Sequence, residues 1–379
     1  MTQNSPSSRS FVAVAVLAAG ASLMIAAPAV ASASSSSHKA PSLAVDQVNL
    51  VSDLPGWAAL TDPDLKNPWG LALSSTSPLW VANTGTSTST LYSSAPESTT
   101  ATKVAAVRVT FPQFPALPTG QVFNGGPGFV LSNGATSGPA AFIFSTITGH
   151  IEAWSPTVDP HLGDAEVKAT EPGAVYTGLA IATTSTGAQQ LYAANFGQGR
   201  IDVFDSSFAM VDTPSWLFHD SELPKGYSPF NAQTLDGNIY VTYAKIDPKT
   251  GLQVTGDGLG FVDEYSPDGV LISRVDERHS LNAPWGLAIA PSTWGNLAGD
   301  LLIGNFGSGQ ITVVEPGSNG LFHDHIEGQL TDSSGAVVSI PDLWALLPGT
   351  ASTGGTDAIW FSAGIDNQQD GLLGVLRRP

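Results

Sequence analysis

Cysteine is absent from the 379 residues, basic residues are few, and only one apolar run is long. Without cysteine there are no disulfides, no thiolate metal sites and no thiol nucleophile, so the fold must hold by packing alone. Fourteen Lys and Arg stand against 32 Asp and Glu, for a net charge of −18. A phosphate backbone would be repelled over most of such a surface, which argues against nucleic acid as a partner. The single long apolar run, from Phe11 to Pro28, follows Arg9 and precedes Ala29-Val30-Ala31, a small-x-small cleavage pattern. Residues 1–31 therefore read as a signal peptide, 32–44 as a flexible Ser-rich leader, and 45–379 as the mature domain. No later stretch is apolar for long enough to cross a bilayer. The expectation is a monomeric chain exported from the cytoplasm, secreted or held at the cell envelope. Also missing are the G-x-S-x-G elbow, the H-E-x-x-H helix, the phosphate-binding G-x-x-x-x-G-K-[ST] loop and the dinucleotide fingerprint.

What the sequence does have is a repeat. "NPWGLAL" at residue 67 returns as "NAPWGLAI" at 282, and weaker copies lie between and after: "GPGFVLS" (126), "VYTGLAIA" (175), "SPFNAQTL" (228) and "IPDLWALL" (340). Each copy is followed by a second apolar segment, as in "LWVANTG" (79), "AFIFSTITG" (141), "LYAANFGQG" (191), "IYVTYAKID" (239), "LLIGNFGSG" (301) and "IWFSAGIDN" (359). A third follows in turn: "TLYSS" (90), "HIEAWSP" (150), "RIDVFDS" (200), "FVDEYSP" (261), "QITVVEP" (310) and "LLGVLRR" (372). Fourth strands such as "KVAAVRVTF" (103) and "VLISRVDE" (270) complete most units. Glycine and proline, 40 and 27 residues, supply the turns.

Six units of four antiparallel strands predict an all-β, six-bladed β-propeller with four-stranded blades. The sixth unit runs out of chain before its fourth strand, whereas "DQVNLVSD" (46) is an alternating strand ahead of the first unit. The N-terminal strand is thus expected to complete the last blade and close the ring. The repeated phrase becomes the innermost strand of a blade, with Trp69 and Trp285 packing where blades meet near the channel mouth or stacking on a ligand there.

The phrases "PWGLA", "LWVAN" and "ANFGQGRIDVFD" resemble NHL-type propellers, and the chain from Val45 to Arg378 looks like a family of secreted bacterial six-bladed propellers. A more distant similarity is to gluconolactonase-type propellers. That resemblance implies a divalent metal held in the central channel by Glu, Asn and Asp. It fits imperfectly, because the matching position of the first unit reads Asn67-Pro68-Trp69, and Glu171 and Glu222 lie outside any motif.

The starts of innermost strands and the ends of second strands ring one mouth of a propeller channel. There the repeat places Asn83, Asn195 and Asn305, with Asp366 as a shifted counterpart, and Asp62, Asp64, Asn67, Asn231, Asn282 and Asp342. Oxygen-only donors suit a hard cation such as Ca2+. Asn before Gly is equally what a tight turn requires. Two loops, 244–260 with Asp247 and Asp257, and 366–371, are acidic. His323 and His325 share a strand face in the outer fifth blade, and "LFHDSEL" (217) holds a similar His-Asp pair. Two functions follow. One is a non-catalytic module that binds a protein, carbohydrate or small molecule through Asn67, Trp69, Asn231, Asn282, Trp285 and Asp342. The other is a calcium-dependent lactonase or esterase-type hydrolase with Asn195, Asn305 and Asp366 as ligands.

Overall fold

A computed structural model describes residues 42–159, 163–275, 280–317 and 319–379. The signal peptide and nearly all of the Ser-rich leader lie outside the described residues. Among the described residues no helix is long and apolar enough to cross a membrane.

Six antiparallel sheets form the blades. Blade 1 comprises, from the innermost strand outward, Pro68–Ala72, Leu79–Asn83, Thr88–Ser93 and Thr102–Thr110. Blade 2 comprises Pro118–Phe123, Phe142–Thr146, His150–Trp154 and Glu166–Thr170. Blade 3 has Tyr176–Thr183, Gln189–Asn195 and Arg200–Asp205, and no fourth strand among the described residues. Blade 4 has Tyr227–Leu235, Asn238–Ile246, Gly260–Tyr265 and Leu271–Arg274. Blade 5 has Pro284–Ile289, Leu301–Asn305, Ile311–Pro316 and Phe322–Gln329. Blade 6 has Leu343–Pro348, Ala358–Ala363, Leu372–Arg377 and, as its fourth strand, Asp46–Ser52. The N-terminal strand thus closes the ring as expected, pairing antiparallel from Asp46↔Arg377 to Ser52↔Leu372.

Two expectations need correction. The innermost strand of blade 2 is Pro118–Phe123; part of "GPGFVLS" instead forms Val130–Ser132, hairpinned to Ser137–Pro139. The apolar beat of that segment is real, because Phe129 and Leu131 are buried in the junction between blades 2 and 3. The true innermost strand carries Thr119, Gly120 and Gln121, too polar to match the repeat. Blade 3, for its part, is three-stranded rather than four-stranded.

Every junction between neighbouring blades holds an apolar cluster, and the one between blades 6 and 1 runs on into aromatic side chains of blades 3, 4 and 5 on the channel axis. Glycine sets how closely innermost strands approach. A Cβ on Gly70 would strike Thr119 O, one on Gly120 would strike Leu179 N, and one on Gly286 would strike Trp344 O, each in the next blade. The glycine of "PWG" is therefore a contact point between blades.

Each innermost strand also shifts register near its start, between Pro68 and Leu71 in blade 1 and between Pro284 and Gly286 in blade 5, for example. Such a bulge re-aims the extra side chain. The residues released are Trp69, Thr119, Thr177, Phe230, Trp285 and Trp344. The backbone just ahead is left-handed in four blades, at Asn67 (φ 44°), Leu117 (φ 56°), Ala283 (φ 46°) and Asp342 (φ 52°). Asn and Asp tolerate that conformation, which accounts for two of the polar residues at this position.

Candidate functional site

The expected mouth is filled. Trp69 and Trp344 stack with centroids 3.6 Å apart, and Trp285 meets Trp344 edge-on at 5.8 Å and Trp69 at 6.1 Å. Phe306 lies 4.3 Å and Phe230 5.9 Å from Trp344, with Phe196 5.2 Å from Phe230. All six side chains are buried. Trp285 Nε1 donates across to Thr177 O of blade 3 at 3.0 Å, and Trp344 Nε1 donates to Asn67 Oδ1 at 3.0 Å. Trp69 and Trp285 thus pack against each other and Trp344 inside the channel. Phe196 and Phe306, the residues after Asn in "ANFG" and "GNFG", complete the plug. That recurrence was a signal in the sequence, as was the third Trp.

Asn83, Asn195 and Asn305 occupy equivalent places, opposite Pro68, Tyr176 and Pro284. Each amide reaches seven residues on, to the third strand of its own blade: Asn83 Nδ2 to Thr90 Oγ1 at 2.8 Å, Asn195 Nδ2 to Asp202 Oδ2 at 2.7 Å, and Asn305 Nδ2 to Thr312 Oγ1 at 3.1 Å. The amide oxygens of Asn195 and Asn305 accept backbone N–H groups, from Val175 and Gln198 in the first case and Asn282 in the second. The Oδ1 of Asn83 is buried with no partner among the described residues. Asp366 does not join them: its blade pairs Ala363 at that position, and Asp366 sits three residues on, exposed and left-handed. The oxygens of Asn195 and Asn305 serve their own turns, and a calcium ion there would have to displace the bonds they accept; only that of Asn83 makes none among the described residues. Asn195 and Asn305 are thus committed within the chain and Asp366 stands apart from them, so these four residues do not converge as a gluconolactonase-type metal set would; the described residues contain no group of three His, Asp or Glu arranged to hold a metal.

Most of the remaining candidates are also occupied. Asn282 Oδ1 accepts Gly256 N–H at 2.8 Å, docking loop 244–260 onto blade 5. Asp342 is raised by burial, offset in part by the N–H groups of Asn367 and Gln368. Asp62 and Asp64 pair with Lys103 at 2.8 and 2.7 Å, and Tyr92 donates to Asp62 at 2.7 Å. Burial raises the Asp64 carboxyl, but Arg108 and Lys103 outweigh it and hold it below its ordinary value. Glu171 pairs with Arg200 at 3.3 Å, while the Glu222 backbone N–H donates to Asp220 Oδ1 at 2.8 Å. Asp247 caps Lys249 N–H within its loop at 2.8 Å, and Asp257 is exposed. His323 Nδ1 sits 2.8 Å from Arg274 O of blade 4, joining two blades, and His325 is exposed beside it.

The channel opens at the opposite end. A cavity of about 210 Å³ lies between the later halves of the innermost strands, walled by 70–73, 120–123, 179–181, 231–234 and 345–347, with Trp285 among its lining. Three amides shape it. Gln121 Nε2 donates to Gly70 O at 2.9 Å, Asn231 Nδ2 to Trp285 O at 2.8 Å, and Gln233 Nε2 to Leu287 O at 2.7 Å. Each bond ties one blade's innermost strand to the next. Their donors are thereby used; Gln121 Oε1 accepts from Ser89 at 3.1 Å, and no hydrogen bond to Asn231 Oδ1 or Gln233 Oε1 is found among the described residues. No ionisable side chain lines this cavity. Asn231 is the one polar candidate from the sequence that reaches it; Gln121 lies in the one innermost strand whose polarity masked the repeat, and Gln233 lies in "SPFNAQTL", a strand the repeat does disclose.

A six-bladed propeller with one end of its channel plugged by aromatics and the other open is the class that fold and site define. No protein-family model matches the chain. It is 33% identical over 336 residues to uncharacterized protein R648 of Acanthamoeba polyphaga mimivirus, covering 86% of this chain and 78% of that protein. Uncharacterized protein L690 of the same virus is 31% identical over 332 residues, covering 86% and 84%. The chain belongs to the family that these viral proteins represent. Among solved structures, an α-L-arabinofuranosidase from Fusarium graminearum superposes over 88% of this chain and 98% of its own with a TM-score of 0.50 at 10% identity. A streptogramin B lyase covers 88% and 97% (TM-score 0.45, 13% identity), and a putative gluconolactonase 63% and 74% (TM-score 0.41, 22% identity). At 10% identity the likeness to the arabinofuranosidase is one of fold alone.

Proposed function

We propose that the protein is a binding module, working outside the cytoplasm, that takes a small neutral molecule into the open end of its channel. The observation that carries this reading is the cavity lining: apolar walls, amide carbonyls and a threonine hydroxyl, with no ionisable side chain among them. Apolar concave sites with a few placed polar groups are what small-molecule recognition requires. General acid–base or nucleophilic chemistry requires a titratable or activated group within reach of the ligand, and this lining offers none. The carbonyl acceptors favour a ligand that brings its own N–H or O–H donors. Export rests on the leader sequence from Arg9 to Ala31.

Ligand-observed NMR with a set of neutral hydroxylated and amide fragments tests it. A subset should bind competitively, and Leu347→Trp, placed at the half-buried rim of the cavity, should abolish binding with little loss of stability. Fragments that bind the variant equally well would sink the channel site. Turnover of a lactone or ester panel, lost in the same variant, would replace binding by catalysis.

A further inference from the structure

Blade 3 ends at its third strand, Arg200–Asp205. A fourth strand begins beside it and stops: Asp205 N–H donates to Ala209 O at 2.9 Å, Val211 N–H donates to Val203 O at 2.8 Å, and Phe204 bridges Met210. Pro214, which has no N–H to give, follows three residues later and the chain leaves the sheet. In an antiparallel ladder alternate residues face outward. Since Val203 and Asp205 do so, Ile201 does too. The N–H and C=O of Ile201 and the N–H of Val203 have no hydrogen-bond partner among the described residues. A groove of about 540 Å³ runs along this edge, walled by 199–203 on one side and by 210–215 and 217–219 on the other. Met210, 41% exposed, lines it, and Trp216, between the lining residues Ser215 and Leu217, is 67% exposed.

An unpaired edge is a template for another strand, and folds ordinarily cover or charge it. Here the charge is selective. Arg200, the one arginine lining the groove, is already paired with Asp202 at 2.5 Å and Glu171 at 3.3 Å. Asp212 is exposed within the groove, and Asp268 lines a second cavity that shares Asp212 and Val203 with it. A second copy of a chain with net charge −18 would meet like charge. We propose that this edge is a strand-addition site, which takes an extended basic peptide segment of a partner protein as the missing fourth strand of blade 3. The incoming backbone would pair with Ile201 and Val203, its alternate apolar side chains would lie against Met210 and Leu217, and a basic residue would face Asp212.

The test uses the full chain and a synthetic peptide with the sequence of Thr102–Thr110, "TKVAAVRVT", which fills the corresponding place in blade 1 and carries Lys103 and Arg108. Saturable binding that weakens with salt, with slowed amide exchange confined to residues 200–205, is the expected result. Methylating alternate peptide amides should weaken binding by on the order of tenfold or more. Ile201→Pro should do the same, because its N–H faces outward and its loss breaks no bond of the blade's own ladder. Should that variant fail to fold, the methylated peptide on the unaltered chain decides. Absence of binding up to about 1 mM, or binding indifferent to methylation, overturns the proposal. So do Ile201 and Val203 amides already protected in the free chain, which would assign the edge to the chain's own residues, or protected only at high concentration, which would assign it to a second copy.

Discussion

Glu152 is fully buried on the third strand of blade 2, and neither of its carboxylate oxygens has a hydrogen-bond partner among the described residues. Its register neighbours are Phe144 and Val167, and burial pushes its carboxyl up to about 7. A carboxyl whose folded pKa lies above its unfolded value binds more protons in the native state. Its stabilising effect is therefore present below about pH 4.5 and is lost as pH rises through about 7. A shift from 4.5 to about 7 corresponds to about 3 kcal/mol. Glu152→Gln should accordingly raise the melting temperature at pH 8 and leave it nearly unchanged at pH 4.5, in a pH series of thermal melts. His150, on the same strand face, is lowered by burial and acts with the opposite sign at acid pH, so only the difference between variant and parent isolates the carboxyl. A difference flat with pH would mean that the carboxylate finds partners in solution. Asp263 and Asp300, each pushed to about 7 by burial, remain in both chains and cancel in that comparison.

At the scale of the element, the innermost strand explains both what the sequence discloses and what it hides. "PWG" is three instructions in three residues: a proline at the strand start, a tryptophan expelled into the channel by a bulge, and a glycine against the next blade. Gly286→Ala places a methyl group on Trp344 O, a backbone atom that cannot turn aside. Overpacking of this kind costs about 1–3 kcal/mol. Gly187→Ala, in an open turn at φ 86° with nothing nearby, should cost only about 1 kcal/mol from its left-handed backbone. Denaturant melts of the two variants check the contrast, and equal losses would remove the packing role from the motif. The second and third strands were legible because they are short, apolar and buried, and the closing strand because of its alternation. The innermost strand of blade 2 was not, since Thr119 and Gln121 serve bonds to neighbouring blades rather than an apolar face. The missing strand of blade 3 was hidden too, because Met210 and Val211 begin the pattern that Pro214 ends. The asparagines were legible as a set, but their amides turn into their own blades. Spacing along a strand does not say which way a turn residue points.

For the whole molecule, the two ends of the channel have opposite characters. One is closed by six aromatic side chains drawn from five blades, and the other is a cavity of about 210 Å³ whose lining includes Trp285 from the plug. Trp344 is the hub: it is fully buried, stacks on Trp69 and contacts Trp285, Phe230 and Phe306. Truncating a buried aromatic of this size costs about 3–5 kcal/mol, because the void is only partly refilled by its neighbours. The neighbours here are held from different blades and by bonds such as Trp285 Nε1 to Thr177 O, so collapse is restricted. Trp344→Ala should therefore leave a mainly apolar hole on the axis, with Asn67 Oδ1 freed at its edge, and apolar holes of this kind accept small aromatic guests. The expected outcome is a marked fall in melting temperature that saturating benzene partly restores, with no such effect of benzene on the parent chain. Loss of stability without rescue would mean that the ring contracts around the gap. No loss at all would mean that the blade junctions, rather than the axial aromatics, hold the propeller together.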